Sequence, residues 1–169
     1  MFQSPQVGRQ RREERQITLA DSARDARQWE LAARLYQKAL DRNPRNSPIW
    51  VQYGHALKES GELRDPDKLA QAEAAYRRAL SLDPSVADTH LQLGHVSKLQ
   101  GKTEEAEASY LRAFALDPST PYPLQELEGL GWSEAHLCEL QDMLATDGVE
   151  THAQYLPPGG GWRRGAAAT

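Results

Sequence analysis

Apolar and small residues recur along the chain in pairs of segments, each long enough to form a helix. In the most regular pair, within residues 87–120, they follow one another three or four positions apart, as on one face of an α-helix. A glycine separates the two segments and a proline follows the pair, and both residue types favour helix ends. The pattern predicts one helix over about 87–100 and another over about 103–116.

The same pair occurs three times. Ala106, Tyr110, Ala113 and Pro118 have counterparts 34 residues upstream and again 40 residues before those. The two distances differ because six extra residues follow Gly61. A unit of this size buries its apolar face by stacking on its neighbours, so the repetition predicts an array. The three predicted copies cover about residues 13–46, 47–86 and 87–120.

Capping residues and prolines set the expected helix bounds in the rest of the chain. The first helix (the A helix) of copy one should end near residue 26, and the second (the B helix) should cover 29–41. In copy two, Ser47 and Pro48 should open the A helix, and Asp65 and Pro66 the B helix. The A helix should bury one face, formed by Trp50, Tyr53, Gly54 and Leu57.

The two ends of the chain lack this regular pattern. Residues 121–145 keep leucines three or four apart, with Ser133 placed to cap the last helix, and they are expected to cover the end of the array. Residues 1–9 and 146–169 have no helical period and are expected to be disordered. The repeat domain should therefore occupy residues 10–145.

The repeated residues resemble those of the tetratricopeptide repeat (TPR), a helix-turn-helix unit of about 34 residues. Copy one departs from the pattern, with Ala20 and Arg27 where the other copies have glycine. The resemblance implies an all-α fold, a right-handed superhelical solenoid of three TPR units plus C-terminal capping helices. The residues that carry it are Trp50, Tyr53, Gly54, Gly61, Ala72, Tyr76, Ala79 and Pro84 in copy two and Gly94, Gly101, Ala106, Tyr110, Ala113 and Pro118 in copy three.

Charge and composition narrow the classes of function. With 20 Lys and Arg against 24 Asp and Glu, the net charge is −4, which gives no general attraction to nucleic acid or anionic membranes. No run of eighteen apolar residues is present, so membrane insertion is not expected. The N-terminus lacks the apolar stretch of a secretory signal, and a cytoplasmic location is expected. The single cysteine, Cys138, is expected to be a part-buried thiol on a capping helix.

Enzymatic chemistry has little support in the sequence. His55 and His95 occupy equivalent places on different copies, so they should lie about 10 Å apart, too far to share a metal ion. No phosphate-binding glycine loop is present. We therefore expect a protein that is not an enzyme and that binds no cofactor or metal.

The resemblance implies that the A helices line a concave groove, and the register of the copies predicts which residues face it. Three rows follow, one apolar, one of Asp and His, and one basic. An apolar row could hold a partner side chain and a basic row a carboxylate; alternatively, neighbouring helices cover the first and solvent surrounds the second. The rows are Ile17, Val51 and Leu91; Asp21, His55 and His95; and Arg24, Lys58 and Lys98.

One TPR subclass uses Lys and Asn residues as a clamp for the carboxylate tails of heat-shock chaperones. By register, none of the equivalent positions here supplies Lys or Asn, so that specific function is not predicted. These positions are Ile17, Asp21, Gln52, Asp88 and Gln92.

The preferred hypothesis is a non-catalytic scaffold that binds a peptide or helix of another protein. The alternative is the regulatory or substrate-presenting module of a bacterial glycosyltransferase-like enzyme, because the repeats are similar to segments that precede such domains; no sugar-transfer domain is present in the chain. Self-association through exposed repeat ends is a third hypothesis.

Overall fold

The computed structural model describes residues 5–61 and 65–147, with side chains for 11–61 and 65–142. Within these residues every regular element is an α-helix, so the predicted all-α fold is confirmed. The helices are α1 (Pro5–Asp25), α2 (Trp29–Leu40), α3 (Ser47–Ser60), α4 (Pro66–Leu82), α5 (Ala87–Leu99), α6 (Thr103–Leu116), α7 (Tyr122–Gly129) and α8 (Glu134–Asp147).

The chain forms two compact units. Unit 1 spans Met1–Pro84 and holds copies one and two as α1–α4. Unit 2 spans Ser85–Thr169 and holds copy three as α5 and α6, followed by α7 and α8. Within each unit, every helix packs against the next one along the chain, as expected for stacked helix pairs.

One tyrosine per copy forms the centre of each helix pair. These repeat tyrosines, Tyr36, Tyr76 and Tyr110, are 0% exposed. A glycine of the A helix makes room for two of them: a Cβ added to Gly54 would lie 2.8 Å from Cε1 of Tyr76, and one added to Gly94 would clash with the Tyr110 ring. The glycines thus allow the A and B helices to approach closely around an aromatic ring.

The turn between the A and B helices differs among the copies. Gly101 has a φ of 77°, and Arg27, the equivalent residue of copy one, takes the same left-handed conformation with a φ of 56°. Gly61 is extended, with a φ of −91° and a ψ of 168°. Gly61 thus ends α3 as the sequence predicts, but in an extended conformation rather than the left-handed one of Gly101.

The insertion lengthens α4 at its N-terminus. Asp65 Oδ1 accepts hydrogen bonds from the backbone N–H groups of Asp67 at 3.0 Å and Lys68 at 3.2 Å, which confirms the predicted cap. As a result, α4 has 17 residues where α6 has 14. The extra turn brings Lys68 into the helix, whereas its counterpart Lys102 precedes α6.

Two expected helix starts need correction. α1 begins at Pro5, so residues 5–9 are helical rather than disordered. Pro5 suits a first helical position, and the good helix formers from Arg9 onward continue the helix. Residues 1–4 lie outside the described part. In α3, the Asn46 side chain caps the helix in place of Ser47, whose hydroxyl donates to the Ala79 carbonyl at 3.1 Å.

The helices after copy three cover its core as expected. Leu127 of α7 and Leu140 of α8 belong to the apolar cluster of unit 2, together with Tyr110 and Phe114. Cys138 is exposed on α8, which corrects the expectation of a part-buried thiol. The tail predicted over 146–169 lies outside the described residues beyond Asp147.

Candidate functional site

The row of Asp and His residues lies over the repeat tyrosines. The Tyr36 hydroxyl donates to Asp21 Oδ1 at 2.7 Å. At the equivalent positions, the His55 ring meets the edge of Tyr76 at a centroid distance of 5.6 Å, and His95 meets Tyr110 at 5.7 Å. Each member of this row therefore positions the aromatic centre of its own helix pair, a role that the sequence did not indicate.

Arg24 joins the A helices of copies one and two. Its guanidinium donates to Asp21 Oδ1 at 3.1 Å, to Asp25 Oδ1 at 2.9 Å and to Gln52 Oε1 of α3 at 2.9 Å. The pKa of Arg24 is raised, chiefly by the hydrogen bond to Asp25, so the group stays charged. Burial, followed by the hydrogen bond to Asp21, raises the pKa of Tyr36 above its ordinary value. The network holds neighbouring A helices of unit 1 side by side.

Glu126 of α7 binds the corresponding cation of unit 2. Lys98 Nζ donates to Glu126 Oε2 at 2.8 Å, and His95 Nε2 lies 3.5 Å from Glu126 Oε1. Burial opposes ionisation of Glu126, but the hydrogen bond from Lys98 and the neighbouring positive charges outweigh it and lower the pKa of this carboxyl. Burial and the Glu126 charge raise the pKa of Tyr110. The carboxylate expected from a partner is thus supplied by the chain itself.

The basic row is consequently less open than the sequence indicated. Arg24 and Lys98 bind acceptors of their own unit, and Lys58 Nζ lies 3.6 Å from Glu59 Oε1. Sequence reasoning missed Gln52 and Glu126 as the acceptors of Arg24 and Lys98. Both hydrogen bonds join residues 28 positions apart, but this spacing alone is no specific signal, because Arg77 and Glu105 on two B helices share it.

The residues of the apolar row differ in how deeply they are buried. Ile17 and Val51 are half-buried on α1 and α3 of unit 1. Leu91 is only 7% exposed and belongs to the apolar cluster of unit 2 that includes Leu127. Its assignment as a residue that touches a partner is therefore corrected: it is part of the core. Of the nine predicted residues, unit 1 contains Ile17, Asp21, Arg24, Val51, His55 and Lys58, and unit 2 contains Leu91, His95 and Lys98.

Among the described residues, no cluster of three or more His, Cys, Asp or Glu side chains could hold a metal ion. In the same part of the chain, none of the helices combines the length and the apolar character needed to cross a lipid bilayer.

Helix pairs built on a buried tyrosine, a small residue opposite it and a closing proline define the class of TPR-like proteins. Within that class, the chain belongs to the family of the Cilia and flagella-associated protein 70 middle TPR-like domain, whose sequence model it matches over residues 17–137. This match confirms the TPR assignment.

Solved structures are similar in fold at low sequence identity. The Arabidopsis OM64 TPR domain has a TM-score of 0.66 and 20% identity, over 73% of this chain and 97% of that one. The first TPR of Spaghetti (RPAP3), bound to the HSP90 peptide SRMEEVD, has a TM-score of 0.64 and 21% identity, over 70% and 89%. The second TPR domain of human RPAP3, in complex with the HSP70 peptide SGPTIEEVD, has a TM-score of 0.63 and 18% identity, over 72% and 99%.

A search of curated protein sequences finds no match. None of the matches named above involves a glycosyltransferase, so the association with such an enzyme and the bacterial origin stay predictions.

Proposed function

We propose that this protein is a non-catalytic interaction module that binds a peptide or short helix of another protein on the A-helix face of unit 1. The observation that carries the proposal is the hydrogen bond between Arg24 and Gln52, which joins α1 and α3. Ile17 and Val51 are half-buried on the same two helices. Apolar residues beside a fixed polar network are typical of a peptide-binding surface.

Apolar contact should supply most of the affinity. Exposed ion pairs contribute about 0–1 kcal/mol each, whereas burying a Val or Ile side chain contributes about 1.5–3 kcal/mol. Because Asp21 and Asp25 already neutralise Arg24, this face does not require an acidic partner. The named RPAP3 structures bind chaperone peptides; the proposal for this chain takes from them only the mode, a peptide on a TPR surface.

The proposal is tested by identifying a partner and then altering the face. The full chain is used to capture partners from the source cell for identification by mass spectrometry, and the affinity of each partner is then measured by titration calorimetry. Ile17→Glu and Val51→Glu should each weaken binding at least about 10-fold, because a buried contact of about 1.4 kcal/mol or more is lost.

Leu19→Glu is the matched control, since Leu19 lies on α1 but is exposed on another face. It should leave the affinity unchanged, and circular dichroism should show the same helicity for all variants. Wild-type affinity in both Ile17→Glu and Val51→Glu would contradict the proposed face.

A further inference from the structure

A second groove lies on the other side of α3 in unit 1, between the B helices α2 and α4. α3 packs against both helices and forms the floor of an open cavity of about 470 Å³. This volume is within the usual range for sites that hold a large side chain or a small ligand. We call it the B-side groove; it is lined by Glu30, Ala33, Arg34, Gln37, Lys38, Tyr53, Leu57, Lys68 and Gln71.

The floor of the B-side groove is apolar and rigid. Ala33 and Leu57 are buried, and Tyr53 is half-buried. The Trp50 ring meets Tyr53 nearly edge-on at a centroid distance of 6.0 Å, and Trp50 Nε1 donates to the Pro44 carbonyl at 2.9 Å. The tyrosine is thereby held in place as part of a surface against which an apolar side chain can pack.

The rim of the B-side groove is basic. It carries Arg34, Lys38 and Lys68, with Glu30 as the one acid among its described lining residues. Within the part of the chain that the structure describes, none of these three cations forms an ion pair. They differ in this respect from Arg24 and Lys98 on the A helices, whose charges are bound internally.

Only part of this chemistry is specific to this pair of copies. The register places Ala74 and Ala108 at the positions equivalent to Arg34, whereas the counterparts of Lys38 keep its charge as Arg78 and Arg112. Lys68 enters the groove because the insertion after Gly61 adds a turn to α4. Arg34, and Lys68 as a residue of the helix itself, are therefore the local features of this rim.

A second cavity continues the B-side groove towards the turn between α1 and α2. Its volume is about 460 Å³, and it shares Glu30 and Arg34 with the first cavity. Trp29 and Leu31 contribute apolar surface to it, Arg27 adds a cation, and Glu59, which lies 3.6 Å from Lys58, adds a carboxylate. Together the two cavities offer two places for side chains along one extended segment.

We propose that the B-side groove binds an acidic peptide segment of a partner protein. A large apolar side chain would pack on Tyr53 and Leu57, and flanking carboxylates would pair with Arg34, Lys38 and Lys68. Charge complementarity selects this occupant. The chain's own residues 148–169 are a poor candidate, because they contain one glutamate and two arginines.

The test uses synthetic peptides of about 12 residues, long enough to span both cavities, with a central Trp, Leu or Ala between flanks of Glu and Ser, and a matched set with Lys in place of Glu. Binding to the full chain is measured by fluorescence anisotropy at low and at physiological salt. We expect acidic peptides with Trp or Leu to bind at least about 10-fold more tightly than the Ala and Lys versions, and added salt to weaken them.

The double variant Arg34→Glu/Lys38→Glu should bind the acidic peptides at least about 10-fold more weakly. The neutral variant Arg34→Gln/Lys38→Gln, which disturbs the helix less, should bind them at least about 3-fold more weakly. Ile17→Glu on the A-helix face should bind these peptides as the wild type does, which separates this site from the proposed function. Absence of binding by every acidic peptide, or equal binding by the double charge-reversal variant, would overturn the proposal.

Discussion

Each repeat tyrosine contacts the polar residue of its own A helix that the register had placed in the groove. The three contacts differ in chemistry. The Asp21 carboxylate accepts a hydrogen bond from the Tyr36 hydroxyl. The rings of His55 and His95 instead contact the rings of Tyr76 and Tyr110. These side chains lie between core and surface. Periodicity identifies the helix face of such a residue, but the contact depends on rotamers that spacing does not determine.

The turns at Arg27 and Gly101 allow a test of backbone strain at single residues. A Cβ on Gly101 would meet no atom within 4 Å, so the only cost of Gly101→Ala is the positive φ. We expect a loss of about 1–2 kcal/mol in the free energy of unfolding. Arg27→Gly should produce a gain of about 1 kcal/mol, because it relieves the same strain. Urea denaturation measures both; a stabilising Gly101→Ala would disagree with the left-handed turn.

At the scale of elements, α7 acts as a shortened A helix. Its residue Glu126 stands to Lys98 as Gln52 stands to Arg24. The sequence predicted the helix from its leucines but not this equivalence, because Glu128 stands where the A helices of copies two and three have a glycine and because α7 begins after Pro121. Leu91 was misassigned for a related reason: its counterparts Ile17 and Val51 are half-buried, and only the packing in unit 2 makes it a core residue.

The carboxyl of Glu126 predicts a pH dependence for unit 2. Its pKa is below the ordinary 4.5 in the folded protein, so its stabilising contribution is complete above about pH 4.5 and disappears as the pH falls through the folded-state pKa. The contribution is at most about 1 kcal/mol, because the pair is partly exposed. Glu126→Gln should therefore flatten the fall in melting temperature between about pH 5 and pH 3.

Glu128→Gln is the control on the same helix, because Glu128 is exposed. It should leave the fall in melting temperature at acidic pH unchanged. Identical pH profiles for Glu126→Gln and the wild type would rule out a stabilising role for the bond to Lys98.

At the scale of the molecule, the sequence predicted the helix pairs well and the internal pairing of charges poorly. Helix ends followed from Gly101, Asp65 and the closing prolines, whose effects are local. The acceptors of Arg24 and Lys98 come from another helix pair, and short-range patterns do not contain that information. The B-side groove had no sequence signal, since it requires α2, α3 and α4 to be packed together.

The division into two compact units predicts unequal responses to a core mutation. Tyr76→Ala should destabilise the protein by about 3–5 kcal/mol, because the ring is fully buried. Hydrogen exchange should accelerate more in α3 and α4 than in α5 and α6, since the lost contacts belong to unit 1. Tyr122→Ala, at a residue that is 60% exposed, should change neither. Equal acceleration in all helices would show that the chain opens as a single cooperative unit.

The bonds of Arg24 and Lys98 to acceptors 28 positions later have a use in comparing related sequences. The spacing joins successive A helices only at the register of the basic row, since Arg77 and Glu105 are also 28 positions apart but lie on the B helices α4 and α6. At that register the spacing would help to recognise degenerate terminal repeats that consensus matching overlooks. An insertion lengthens it: the six residues after Gly61 place Gln92, the counterpart of Gln52, 34 positions after Lys58. In designed arrays, the same pair would specify which helix may follow which.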